Sequence, residues 1–507
     1  MADVEIDGHS LTIEGAISVA NGNNTALLAK SARRRMEESR KGVEQIIDSG
    51  EVVYGINTGF GAMSSVRIGG DDLEQLQSNL IKSHACGVGD LMDPNHVLLM
   101  MVFRANSLAR GVSGIRPKIV DLLLGMVNHG IAPIIPRIGS LGASGDLAPL
   151  SHMSLAILGE GESMVRKESG WVTMSSIDAL HSVGLEPTEL AAKEGLSLIN
   201  GTSQMCAYLA LTILNLEKLV FAADSCAATS LEAIKGSHSP FDPRIHDNRP
   251  QSGQAISAAR ISAFLKGSKI KISHEDCNRV QDAYCFRCAP QVHGPVIDLL
   301  TETRRMLEIE INSATDNPLV FVDGDDVDVI SGGNFHGQNL ALASDSIAIA
   351  CHELACISER RINQVLDPQW SGQIPFLAQK EGLESGYMIV QYVAAACIAE
   401  LHLLANPVTT SNIPVSMGKE DHVSMGATGT YRSLQSTALL SQVLANELIC
   451  GTEALDRIPH KPGGGVAEIH IWVRKFVDQY DGDSVMSKEC TTLSNEILDG
   501  SLQEIFG

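Results

Sequence analysis

The chain has 507 residues, of which 44% are hydrophobic and 19% charged, the balance of a well-packed globular protein. Its formal net charge of −22 argues against nucleic acid or an anionic membrane surface as a partner, since both require clustered basic residues. No basic segment followed by an apolar run opens the sequence, and the cysteines are scattered, so we expect a cytoplasmic protein with reduced thiols.

Short alternating runs around turn residues predict three β-hairpins. The first is "VEIDGHSLTI" (4–13), and the others are "SMVRKESGWVTM" (163–174) and "LVFVDGDDVDVI" (319–330). Longer runs with helical periodicity predict helices. These runs cover about 95–128, 199–235, 296–312, 335–366, 385–405 and 420–456.

The run 335–366 indicates how these helices pack. Leu340, Ile347, Cys351 and Leu354 recur at helical spacing with small residues between them, which is typical of a helix packed on several sides. We therefore predict a mainly α protein with a long-helix bundle core at 201–507, continued into neighbouring subunits. A smaller mixed domain at 1–200 would carry the glycine-rich loop described next. The apolar stretch 205–223 contains charged residues and is interpreted as a buried helix.

The segment "GSLGASGDLAPLSH" (139–152) has almost no large side chains. It can form a tight turn before a helix, with Asp146 as a cap. It can also react with itself. If the nitrogen of Gly145 meets the carbonyl carbon of Ala143, a five-membered ring closes, and loss of the Ser144 hydroxyl leaves a methylidene. The product is a strong electrophile, which no ordinary side chain provides.

This segment resembles the signature of the aromatic amino acid ammonia-lyases, which act on histidine, phenylalanine or tyrosine. That family makes 4-methylidene-imidazol-5-one (MIO) from Ala-Ser-Gly. Six further motifs resemble the family in its order: "VYGINTGFG" (53–61), "LINGTS" (198–203), "QDAYCFRCAPQ" (281–291), "SATDNPLVF" (313–321), "GGNFHGQ" (332–338) and "EDHVSMG" (420–426). The resemblance implies elimination of ammonia from a small-molecule amino acid by a homotetramer with shared active sites.

The resemblance also implies roles for individual residues. Tyr54 matches the family's catalytic base, and Arg287 matches the arginine that binds the substrate carboxylate. Asn200 matches an asparagine beside the MIO ring, and Asp146 is expected to assist ring formation. The remaining pocket residues are Gln281, Tyr284 and Phe335. In a helix, residues 281, 284 and 287 would share one face.

Two markers concern the substrate. Ser83-His84 resembles the histidine branch, and His84 could hydrogen-bond an imidazole. Glu420, in the motif "EDHVSMG", also resembles that branch. A carboxylate facing the substrate ring suits an imidazole, whereas facing a phenyl ring it would be buried without a partner. The expected reaction is therefore conversion of L-histidine into trans-urocanate.

Other features keep alternatives open. Lys419 replaces the usual glutamine, and Asn406-Pro407-Val408 lies in a stretch that resembles the phenylalanine/tyrosine branch. A tyrosine or phenylalanine ammonia-lyase and an MIO aminomutase remain alternatives, as does a non-catalytic helical scaffold. Fumarase-like lyases use a different loop. Cys285 and Cys288 have C-x-x-C spacing without a second pair, so we expect no metal.

Overall fold

The computed structural model describes residues 3–59, 66–275 and 280–506. The last two residues of the motif 53–61 lie outside these ranges. The strands are β1 Asp3–Ile6, β2 Thr25–Leu28, β3 Val88–Leu91, β4 Ile131–Pro133, β5 Pro136–Ile138, β6 Glu162–Lys167, β7 Gly170–Ser175, β8 Leu319–Asp323 and β9 Asp326–Ile330.

Helices make up most of the described chain. They are α1 Ile13–Ala20, α2 Lys30–Ser49, α3 Leu73–His84, α4 Pro94–Leu108, α5 Pro117–Asn128, α6 Leu147–Ile157, α7 Ser176–His181, α8 Glu194–Ile199, α9 Ser203–Ala233, α10 Pro243–Asp247, α11 Ser252–Phe264, α12 Lys269–Ile272, α13 Tyr284–Arg287, α14 Ala289–Glu310, α15 Gln338–Leu366, α16 Pro368–Ser371, α17 Met388–Leu404, α18 Gly426–Asp456, α19 Gly464–Val473, α20 Ser487–Asp499 and α21 Ser501–Glu504.

The chain forms two compact units. The first unit comprises Met1–Ala210, Arg304–Ser344 and Val408–Tyr431. It contains every strand that the described residues form, in four small sheets. Strands β1 and β2 pair in parallel, β3 pairs with β5, β4–β6–β7 form an antiparallel sheet, and β8 pairs with β9.

Packing of helices in the first unit positions the glycine-rich loop. Helices α3, α6 and α8 pack against one another. Residues 139–146 of the loop join β5 to α6. Helix α4 is buried on every side from Val97 to Leu108, and Arg104 is its one charged residue in that stretch. The loop therefore leads into a helix, α6, that is packed against both α3 and α8.

The second unit comprises Leu211–Thr303, Asp345–Pro407 and Arg432–Gly507, and its described residues contain helices without strands. Its core includes a buried ion pair in which Arg361 donates to both oxygens of Glu447, at 2.6 and 2.9 Å. Such pairing keeps the buried charges satisfied. The sequence-based domain boundary between 200 and 201 stays a prediction.

Comparison with the sequence analysis confirms the mainly α fold class and the hairpins β6–β7 and β8–β9. Leu340, Ile347, Cys351 and Leu354 are all buried, as their spacing predicts. The hairpin predicted at 4–13 is wrong. Strand β1 instead pairs in parallel with β2, and α1 begins at Ile13, where Thr12 caps it.

The helix predicted over 95–128 is two helices, α4 and α5. The break at 109–116 contains Gly111 and Gly114, both with positive φ, and α5 begins at Pro117. Glycine and proline disfavour a continuous helix at these positions.

Helices α9 and α15 are long and apolar enough by composition to cross a membrane. In the described structure, 67% of the most apolar window of α9 and 56% of that of α15 are buried. Mostly buried apolar helices are typical of a protein core, as predicted for 205–223.

Candidate active site

In the loop from Gly139 to Asp146, the packing around Gly145 leaves no room for a side chain. Gly145 has φ of +78° and pairs with Gly201 in an isolated parallel bridge. A Cβ added at Gly145 would overlap the backbone of Gly201. Glycine is therefore required at position 145 both by its conformation and by the approach of the facing chain.

Hydrogen bonds fix the backbone on both sides of Ser144. The side-chain amide of Asn200 donates to the Ser144 carbonyl at 3.0 Å. The amide of Asp146 donates to the Gly201 carbonyl at 2.7 Å. Ala143 and Gly145 are buried, while Ser144 is half-buried and lines a cleft. The tripeptide thus presents its central residue to a ligand and keeps its flanks rigid.

Asp146 is fully buried and does not cap α6 with its side chain, although it occupies the N-cap position. Its carboxylate accepts instead from the amides of Gln204 and Met205, at 2.8 and 3.1 Å, in the first turn of α9. Ser140 donates to its other oxygen at 3.0 Å. Burial raises the pKa of Asp146 to about 7, against these hydrogen bonds. This carboxyl therefore ties the loop to the start of α9.

A cleft of about 970 Å³ in the first unit opens onto Ser144. Seven of the residues identified from the sequence line it together: Tyr54, Ser83, His84, Ser144, Asn200, Phe335 and Glu420. They come from six separate parts of the chain, so the fold gathers them. Their individual chemical roles stay predictions.

His84 ends α3 on the wall of this cleft. Its Nδ1 lies 2.8 Å from the Leu80 carbonyl oxygen. Because a carbonyl only accepts, this bond places the proton of the neutral ring on Nδ1 and leaves Nε2 as an acceptor. Burial lowers the pKa of His84, and the Leu80 hydrogen bond and the charge of Glu420 oppose this shift. His84 is therefore suited to accept a hydrogen bond from a ligand.

Six predicted site residues do not line this cleft: Ala143, Gly145 and Asp146 flank Ser144 in the loop, and the other three lie elsewhere in the chain. Gln281, Tyr284 and Arg287 belong to the second unit. Helix α13 begins at Tyr284, and Gln281 precedes it outside any helix or strand, so the prediction that the three share one helix face is wrong. Arg287 lies over the ring of Tyr284, with its guanidinium carbon 4.4 Å from the ring centroid.

The cleft also contains residues that the sequence analysis did not assign to the site. Leu76, Asn79 and Leu80 lie one and two turns before His84 on α3, so helical periodicity could have indicated them. Others come from α6, α8 and loops, and some of these lie within the motifs quoted above. They are Leu147, Leu196, Ile199, Asn317, Ser331, Gly332, Ser416, Met417 and Lys419.

The profile of the aromatic amino acid lyases matches residues 11–475 of the sequence. The chain belongs to this family. As a family member it is a carbon–nitrogen lyase, which confirms the interpretation of the ordered motifs. A histidine ammonia-lyase of Anaeromyxobacter sp. (strain K) is a similar lyase, 44% identical over 99% of this chain and 100% of the relative.

Solved structures of aromatic amino acid lyase relatives share the fold. A histidine ammonia-lyase from Trypanosoma cruzi has a TM-score of 0.91 at 35% identity, covering 100% of this chain and 95% of that one. A tyrosine aminomutase from Streptomyces globisporus also has a TM-score of 0.91, at 34% identity over 99% of this chain and 98% of that one. The fold is thus common to lyases and mutases with different substrates.

Proposed function

We propose that this lyase eliminates ammonia from L-histidine and releases trans-urocanate. One observation carries the substrate assignment. Two acceptors, the Nε2 of His84 and the carboxylate of Glu420, line the same cleft as Ser144. An imidazole ring offers N–H donors to such acceptors, whereas a phenyl ring would leave them buried and unpaired. The name of the 44% identical relative agrees with this assignment.

The prosthetic group of the reaction is MIO, formed from Ala143-Ser144-Gly145. The residues present fit this group. Gly145 has no room for a Cβ against Gly201, and the Asn200 amide donates to the Ser144 carbonyl, which becomes the ring carbonyl. Once formed, the group would supply an electrophilic carbon for the substrate amine, which would make the amine a better leaving group.

Tyr54 acts as the base for the β-proton. It lines the cleft together with Ser144, so the β-carbon of a substrate held at Ser144 would lie in the same cleft as this base. Phe335 and the leucines of α3 exclude water around the substrate side chain. His84 and Glu420 then orient the imidazole.

The substrate carboxylate is bound by Arg287 of the partner subunit, in a homotetramer whose active sites combine residues of different copies. Two observations support this. Among the described residues, the cleft lining includes the cation of Lys419 but no arginine, the side chain whose guanidinium binds a carboxylate through two parallel hydrogen bonds. Helix α17 of the second unit also exposes apolar side chains, including Ile389, Tyr392 and Leu403, as association surfaces do. Tyr284 and Gln281 accompany Arg287 in this proposal. We place the enzyme in the cytoplasm.

A second candidate is an aminomutase or lyase acting on tyrosine or phenylalanine. Lys419 in the cleft favours it, because this cation stands where the histidine branch carries glutamine. A phenol O–H could also donate to His84.

A substrate panel separates these candidates. Purified enzyme is incubated with L-histidine, L-tyrosine or L-phenylalanine, and products are resolved by chromatography. Urocanate as the main product supports the proposal. Coumarate or cinnamate as the main product would show that the substrate is tyrosine or phenylalanine instead. A β-amino acid product would show that the enzyme is an aminomutase.

A further inference from the structure

Arg104 is a buried arginine immediately behind the reactive tripeptide. It is 0% exposed and is the one charged residue in the buried stretch 97–108 of α4. Its Nη1 donates to the backbone carbonyl of Asn200 at 2.8 Å. Burial lowers the pKa of Arg104 to about 10, so the guanidinium remains charged near neutral pH. A buried cation at this position requires a structural or chemical reason.

The residue after Asn200 lies directly between Arg104 and the tripeptide. Gly201 has φ of +154°. A Cβ there would overlap Nη1 of Arg104 and approach Oγ1 of Thr315 at 2.8 Å. On its other side, the Gly201 backbone fills the space that a Cβ of Gly145 would need. The Arg104 guanidinium therefore packs against Gly201, and Gly201 packs against Gly145.

Charge neutralisation alone does not account for this arginine. Asp316, the acid that most favours the charged form of Arg104, already has a partner, because Lys193 Nζ lies 2.7 Å from its Oδ2. Asp146, the second acid that favours it, already accepts hydrogen bonds from Ser140, Gln204 and Met205. Lys193 and Asp316 are both fully buried. The direct hydrogen bond of Arg104 goes instead to the backbone that contacts Gly145.

We propose that Arg104 is a positioning residue for ring closure: by holding the Asn200–Gly201 backbone, it presses Gly145 toward the Ala143 carbonyl. This inference rests on the proposed function, since it presupposes that the ring forms. Close packing imposed from outside lowers the entropy cost of bringing two backbone atoms together.

The step is balanced without any oxidant. The Gly145 nitrogen adds to the Ala143 carbonyl carbon, and its proton moves to the carbonyl oxygen. That hydroxyl leaves as water with the Ser144 amide proton, which gives a C=N bond. The Ser144 hydroxyl and its Cα proton leave as a second water, which forms the methylidene. Arg104 takes no part in these bonds.

The test measures maturation by mass, independently of turnover. Wild type and the Arg104→Met and Arg104→Lys variants are made as full chains by cell-free synthesis. After translation is stopped, the compact fraction is sampled over time for intact mass. We expect wild type to lose two waters. We expect Arg104→Met to close roughly tenfold to a hundredfold more slowly, since a hydrogen bond to a charged group is lost, with Arg104→Lys intermediate.

Lys193→Met is the matched control, because it removes another fully buried cation from the same surroundings without touching Asn200 or Gly201. We expect its folded fraction to close at the wild-type rate. Wild-type closure in folded Arg104→Met or Arg104→Lys, or equal slowing in Lys193→Met, would overturn the inference. If Arg104→Met does not fold, Arg104→Lys decides the question alone. Absence of mass loss in wild type would refute the proposed function instead.

Discussion

The side-chain amide of Asn200 donates to the carbonyl oxygen of Ser144 at 3.0 Å, while its own backbone carbonyl accepts from Arg104 at 2.8 Å. One residue thus contacts the reactive tripeptide through its side chain and the supporting arginine through its main chain. The two contacts can be separated by mutation, because a side-chain change leaves the main-chain carbonyl in place.

Asn200→Ala should retain ring formation and lose turnover. The Arg104 contact is preserved, so the variant should still lose two waters. Turnover of L-histidine should fall roughly 10²–10³-fold, the typical effect of removing a preorganised donor at a reacting carbonyl system. Intact mass and steady-state kinetics on one preparation measure both. Unchanged kcat would exclude Asn200 from catalysis.

Ser144→Ala should fold normally and be inactive. Without the hydroxyl no methylidene can form, so the second water cannot be lost. Because Ser144 is half-buried and its side chain lines a cleft, removing it should change the unfolding midpoint little. Circular dichroism checks that the variant folds, and the absence of urocanate absorbance checks that it is inactive. Wild-type turnover in this variant would contradict the electrophile mechanism.

Glu420→Gln should affect histidine more than phenylalanine. Loss of the carboxylate should lower kcat/KM for L-histidine roughly tenfold to a hundredfold, while any activity on L-phenylalanine should change about twofold at most. Asp421→Asn is the matched control, since this neighbouring acid is exposed and does not line the cleft. Equal effects of Glu420→Gln on the two substrates would remove Glu420 from the specificity argument.

Asp146 should make stability depend on pH near neutrality. Burial raises its pKa from 3.8 to about 7 in the folded state, so the folded protein binds the proton more tightly than the unfolded chain. Its contribution to stability is complete below pH 3.8 and is lost as pH rises through about 7. Asparagine cannot ionise, so the Asp146→Asn substitution should remove this loss of stability with rising pH.

The comparison is best made between Ser144→Ala and Ser144→Ala/Asp146→Asn, because neither protein completes the ring. The free energy of unfolding of the double variant, relative to the single variant, should rise with pH across this window and level off above it. Denaturant titrations at several pH values measure the difference. A pH-independent difference would show that Asp146 has no raised pKa.

Parts of this structure could be predicted from sequence because their signals are local. Helix α9 and the hairpin β6–β7 follow from periodicity and turn residues close to one another in the chain. The parallel pairing of β1 with β2 could not be predicted in this way, since α1 separates the strands. The helical spacing of Gln281, Tyr284 and Arg287 was misleading, because α13 begins only at Tyr284 and Gln281 lies before it.

The site residues also divide into those with a local sequence signal and those without one. Ser144 and His84 were identified by motifs that resemble a family, and the fold gathers them in one cleft. Arg104 and Gly201 were missed because their importance lies in a contact between segments almost a hundred residues apart. A single charge within the apolar run of α4 was the available signal for Arg104.

The most direct test of the account is the mass of the proteolytic peptide that contains residues 143–145, isolated from wild-type enzyme actively converting L-histidine to urocanate. If Ala143-Ser144-Gly145 forms MIO, this peptide is lighter than the encoded sequence by two waters. An unmodified peptide from fully active enzyme would contradict the account.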